Sequence, residues 1–73
     1  MGAAYKAIEM VGTSQQSFDD AARSAVKRAG ETMRDLEWIE VLEQRGYIRG
    51  GELSEFQVKV KVWFKLEDGA AQS

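Results

Sequence analysis

From Glu55 to Leu66, apolar and polar residues alternate. Phe56, Val58, Val60, Val62, Phe64 and Leu66 share one face, and Glu55, Gln57, Lys59, Lys61, Trp63 and Lys65 share the other. A period of two marks a two-faced strand, and the pattern predicts one over Leu53 to Leu66. Leu36 to Ile48 reads as the strand before it, with Arg49-Gly50-Gly51-Glu52 as the hairpin turn between them. Tyr5 to Val11, aromatic and β-branched, is a short first strand that the loop signal Gly12-Thr13-Ser14 brings to an end. Ser17 followed by Asp20 has the form of a capping box, and Asp19 and Asp20 complement the positive end of a helix dipole. Phe18, Ala21, Ala22, Ala25, Val26, Ala29 and Met33 then recur at helical steps. They predict a helix of about 18 residues, roughly 27 Å long, with Lys27, Arg28 and Arg34 toward its negative end.

The order β-α-β-β places the chain in the α+β class. A helical crossover makes the first two strands parallel, so the third can lie between them and antiparallel to both, in spatial order 1-3-2. This order puts the most regularly alternating strand in the middle; order 1-2-3 is the alternative. Residues 1–73 read as one domain, with an ordered core over about 3–67 and a small, polar tail at 68–73 expected to fray. The third strand, at about 40 Å, is longer than the helix that must cover it. A domain this short buries only about 60% of its unfolded surface by itself. The chain has no cysteine and no histidine, which removes disulfide staples and the usual transition-metal sites. Self-association is the remaining route to burial.

Ten basic against twelve acidic residues leave a net charge of −2, which offers no general attraction for nucleic acid. The N-terminus shows no basic stretch followed by an apolar segment, and no apolar run approaches membrane-spanning length. The expectation is a soluble cytoplasmic protein with neither a nucleic-acid nor a membrane partner. Without histidine or cysteine, no nucleophile stands beside an obvious general base, so no catalytic residue is assigned. No metal ligand is assigned either.

Two tryptophans carry the chemical interest. Trp38 opens the second strand, and Trp63 interrupts the charged face of the third. So small a chain offers too little cover for two indoles, so at least one is expected at an interface or against a planar ligand. Gln57 carries a donor and an acceptor side by side, suited to the polar edge of a heterocycle. Centring the hairpin on Gly50-Gly51 sets Gln57 opposite Gln44, with Trp38 about 20 Å further along the same strand. A ring touching both Trp38 and Gln57 would therefore need two subunits. Arg45, near the turn, is either a plain exposed charge or, beside a stacked heterocycle, suited to a ribityl or phosphate tail. Glu40 and Glu43 are ordinary strand carboxylates that can pair with Lys59, Lys61 or Arg45 across the hairpin. Arg28 and Thr32, one turn apart on the expected helix with Arg34 close by, can join Lys6 and Lys65 around a phosphate; the alternative is that these basic residues are solvated charges complementing the helix dipole.

The chain resembles the dodecins, small flavin-binding proteins that assemble as hollow twelve-subunit shells. The ordered matches are Tyr5-Lys6, Glu9, Val11 to Ser14, Ser17-Phe18, Ala29, Thr32, Leu36 to Trp38, Glu40-Val41, Glu43 to Gly46, Phe56 to Val58 and Phe64 to Glu67. The resemblance implies that Trp38 stacks on an isoalloxazine ring and that Gln57 bonds its pyrimidine-like edge. Paired flavins would lie between symmetry-related tryptophans, where their photochemistry is quenched. It implies a storage and photoprotection role without turnover. Arg45 tilts the ligand toward flavin mononucleotide over riboflavin or lumichrome. A second ligand, coenzyme A, would fall to Lys6, Arg28, Thr32, Arg34 and Lys65. The chain departs from the usual pattern at Trp63, where the family generally carries a small residue.

Overall fold

The structure, a computed structural model, describes residues 2–66. Strand β1 spans Tyr5–Ser14, helix α1 Phe18–Gly30, strand β2 Leu36–Arg49 and strand β3 Glu52–Lys65. The three strands form one sheet in the order β1-β3-β2, with β3 antiparallel to both neighbours. This is the expected topology, and the central strand is the most regularly alternating one. The tail expected to fray, 68–73, lies outside the described residues.

The core is thin. Ala21, Ala25 and Ala29 of α1 are buried against Val58, Val60 and Val62 of β3, with Ile8, Met10, Phe18, Ala22, Met33, Leu36 and Ile39 packed around them. Alanines along one helical stripe let the helix backbone approach the sheet closely. The closest approach is at Gly12, where a Cβ would fall on the Ala21 carbonyl oxygen and within 3.0 Å of the Ala25 Cβ. Gly12 therefore makes room for the helix rather than ending the strand, and β1 runs on through Ser14 instead of stopping at Val11. Phe18 closes the start of the helix edge-on against Phe56, ring centroids 4.9 Å apart.

The helix starts as its sequence signals. The Ser17 hydroxyl accepts the Asp20 backbone N–H at 3.0 Å. The second half of the capping box is diverted, because the Asp20 carboxylate accepts from the Ser14 hydroxyl at 2.7 Å, while the Ser14 oxygen accepts from the backbone of Gln16. Ser17→Ala is expected to lower stability by about 1 kcal/mol, read as a lower urea midpoint with an unchanged slope. The helix is 13 residues long, shorter than expected. Met33 continues the apolar spacing, but the backbone N–H groups of Thr32 and Met33 both turn back on the Ala29 carbonyl, and Asp35 adopts φ 60°, which directs the chain into β2. Asp tolerates that left-handed conformation better than most residues.

At about 20 Å the helix is less than half as long as β3, about 46 Å. It lies over β1 and β3 and barely reaches β2, and the protomer measures 57 × 20 × 13 Å. Val41, Leu42, Tyr47, Ile48 and Leu53 stand exposed on the uncovered hairpin. Gly50 and Gly51 turn it with positive φ of 62° and 82°, the geometry of a two-residue primed turn.

Candidate functional site

Two clusters occupy the sheet face turned away from the helix, at opposite ends of β3. Their placement follows from register. Trp38 pairs with Trp63, Glu40 with Lys61, Glu43 with Lys59, and Arg45 with Gln57. The expected pairing of Gln57 with Gln44 is corrected by one residue. Leu53 pairs with Ile48 and Glu55 with Tyr47, so β3 carries an extra residue at Ser54, and the register shifts back between Val41 and Glu43. Such bulges move every pair between them by one position, and this one brings the guanidinium and the amide face to face.

At the hairpin end, Arg45 Nε donates to Gln57 Oε1 at 3.0 Å, and Gln57 Nε2 donates to Glu55 Oε2 at 3.2 Å. These contacts orient the amide without exhausting it. One carbonyl lone pair and one N–H remain on adjacent atoms, the pattern that matches a heterocycle edge bearing a donor next to an acceptor. Arg45 is exposed, and its guanidinium has a fork geometry that carboxylate or phosphate oxygens can match.

At the other end, Trp38 packs against Trp63, centroids 6.0 Å apart and planes 25° from parallel, and against Tyr5 of β1 at 4.9 Å. Trp38 nonetheless remains 47% exposed, enough for a partner ring. Trp63 Nε1 donates to Glu40 Oε1 at 2.8 Å, and Lys61 Nζ stands 5.8 Å from its ring centroid. Instead of the carboxylate–lysine pairs the hairpin allows, Lys59 pairs with Glu9 of β1 at 3.5 Å, while Glu40 holds the indole. Gln57 and Trp63 lie six positions apart on β3, which separates the two clusters by about 20 Å.

The sequence reading missed Glu55 and Tyr5. Glu55 is the next residue on the Gln57 face of β3, so alternation carried a signal for it. Tyr5 meets Trp38 through the registers of both ladders, with Tyr5 opposite Lys65 and Trp38 opposite Trp63, which the strand order 1-3-2 does not by itself fix.

The residues grouped around a phosphate are partly dispersed. Arg34 and Lys65 line one open pocket of about 300 Å³ with Met33, Asp35, Phe64 and Leu66. Arg28 is drawn to Glu31 at 3.6 Å on the helix surface. Thr32 lies beyond the helix end, so it does not share a helical face with Arg28. Lys6 pairs with Phe64 on the neighbouring strand. Among the described residues, no cluster of carboxylates forms a metal site within one protomer. Nor is any helix among them long and apolar enough to cross a membrane.

The family model for dodecin matches residues 4–67. The chain belongs to the dodecin family. It is 44% identical to the dodecin of Thermus thermophilus over 68 residues, 93% of this chain and 99% of the relative. A solved dodecin from Streptomyces davaonensis superposes with a TM-score of 0.86 at 37% identity, covering 93% of this chain and all of the other. A second sequence relative, the calcium dodecin of Mycobacterium tuberculosis, is 34% identical over 62 residues, 85% of this chain and 87% of that one. The dodecin topology is thus the one that strand alternation and helix spacing predict from this chain.

Proposed function

We propose that this dodecin is a non-enzymatic flavin-binding protein that sequesters flavin mononucleotide or riboflavin and quenches its photochemistry. The rings would lie at subunit interfaces of a homododecamer. One observation carries the reading: the exposed indole and the half-satisfied amide share one sheet face but lie about 20 Å apart, so a single ring meets both only where two copies come together. The exposed apolar hairpin and the short helix supply a reason for copies to associate.

The residues present fit the group. The exposed part of Trp38 offers a stacking surface, Gln57 retains one donor and one acceptor for the pyrimidine-like edge, and Arg45 stands beside it for a ribityl phosphate. Bound flavin supplies the visible chromophore and its excited-state reactivity; the protein's part is to hold the ring out of water and orient it. A ring enclosed between indole and a second flavin has no free face for a substrate, so flavin-dependent turnover is the weaker reading. A second ligand, coenzyme A, is supported only at Arg34 and Lys65, which line one pocket; Lys6, Arg28 and Thr32 do not line it.

Titrating riboflavin and flavin mononucleotide with purified protein tests the reading. The expected result is saturable fluorescence quenching at one flavin per protomer, tighter for the mononucleotide, on a particle of twelve protomers by light scattering. A particle of that mass without saturable quenching would leave only an assembly scaffold.

A further inference from the structure

Trp63 stands directly across the β2–β3 ladder from Trp38. Opposed residues of an antiparallel pair have Cβ atoms about 4.5–5.5 Å apart, so two indoles at these positions must settle side by side. The 6.0 Å separation and 25° angle lie within the range of offset aromatic pairs. Trp63 is also fixed from two further directions. Its N–H is anchored on the Glu40 carboxylate at 2.8 Å, a length expected of a charge-assisted bond, and Lys61, opposite Glu40 in the ladder, stands near its ring. With Tyr5 at 4.9 Å completing the packing, Trp38 meets neighbours from both other strands while nearly half of it stays open.

We infer that Trp63, held by Glu40, is a positioning residue for Trp38, and that the two indoles form a preformed platform for a planar, conjugated heterocycle. This inference rests on the flavin-stacking reading above and adds residues to it. An unsupported indole on an exposed sheet end must give up rotamer freedom when a ring stacks on it. An indole already packed has less to lose, a difference of about 2- to 10-fold in affinity. Glu40 and Glu43 are both exposed strand carboxylates on the same face; only Glu40 takes the indole N–H, which makes it the selective point of attack.

The test uses Glu40→Ala, Glu40→Gln, Trp63→Ala and Trp38→Ala in the full chain, with two readouts. The first is the paired far-ultraviolet circular dichroism band of coupled indoles in ligand-free protein. The second is riboflavin affinity by fluorescence quenching. Glu40→Ala keeps both indoles but frees one, so it is expected to shrink the paired band and weaken riboflavin binding by about 3- to 10-fold. Glu40→Gln retains an acceptor oxygen and is expected to restore most of both. Trp63→Ala is expected to abolish the band and weaken binding at least as much as Glu40→Ala. If Trp63→Ala is poorly folded, Glu40→Ala decides alone. Wild-type affinity in Glu40→Ala and Trp63→Ala, with binding lost in Trp38→Ala, would overturn the positioning role but leave the flavin reading standing. Tighter binding in Trp63→Ala would overturn it too, showing that Trp63 competes with the ligand for the same indole surface. Wild-type affinity in Trp38→Ala would instead sink the stacking reading and the platform's ligand role together.

Discussion

Trp38→Ala is expected, on the proposed stacking reading, to weaken flavin binding by about 30-fold or more, because truncating a central aromatic anchor costs about 2 kcal/mol or above. The loss should fall on the ligand and not on the fold. Trp38 lies outside the buried core of alanines and valines and is 47% exposed in the protomer, so the variant should keep its circular dichroism in the amide region and its particle mass. Trp38→Phe, which keeps a ring of smaller area, should fall between the two. Arg45→Ala separates the chromophore from its tail: it is expected to reduce the preference for flavin mononucleotide over riboflavin, since only the former carries a phosphate for the guanidinium. It also removes the hydrogen bond that orients Gln57, so some riboflavin affinity should go with it. Equal affinity of wild type and Trp38→Ala for both flavins, measured by quenching titration, would remove stacking from the account.

The residues that could be read from the chain and those that could not differ in what determines them. The alternation from Phe56 to Leu66 records burial of one face of β3, and it was enough to put that strand in the centre. Ser17 and the alanine stripe likewise state where α1 begins and which side it buries. The end of α1 is set otherwise. Met33 keeps the apolar spacing, but Asp35 must leave the helical region to start β2, and that demand comes from the sheet. Gly12-Thr13-Ser14 has the composition of a loop, yet Gly12 is fixed by the helix crossing above it, a tertiary contact with no local signal. The bulge at Ser54 matters most for the site. Alternation specifies which face a residue occupies but not which residue it opposes once a ladder gains a member. Trp38, Arg45 and Gln57 could be named from residue type, whereas the Arg45–Gln57–Glu55 chain and the Glu40 anchor of Trp63 required the register.

Gly12→Ala is expected to be the most destabilising of the single-methyl changes available, and its contrast with Gly30→Ala isolates the cause. At Gly12 the added methyl meets a backbone carbonyl, that of Ala21, and the Cβ of Ala25 at 3.0 Å. Neither can rotate away, so the whole helix must lift from β1. Overpacking of a tight core costs about 1–3 kcal/mol, and contact with backbone puts this case at the top of that range, against a net stability of only about 4–11 kcal/mol for a chain of this size. Lifting α1 also opens the seams between Ala21, Ala25 and Ala29 and the valines of β3, which make up the buried hydrophobic core among the described residues. A fall in the thermal midpoint of about 10 °C or more is expected. At Gly30, the last residue of α1, the nearest atom to an added methyl is Leu36 Cδ1 at 3.9 Å, an ordinary contact. Alanine there gains helix propensity of up to about 1 kcal/mol, so the midpoint should rise by a few degrees. Equal thermal midpoints for Gly12→Ala and Gly30→Ala would mean that the helix does not need glycine beneath it, and that the short, alanine-faced helix is not what sets how closely this sheet is covered.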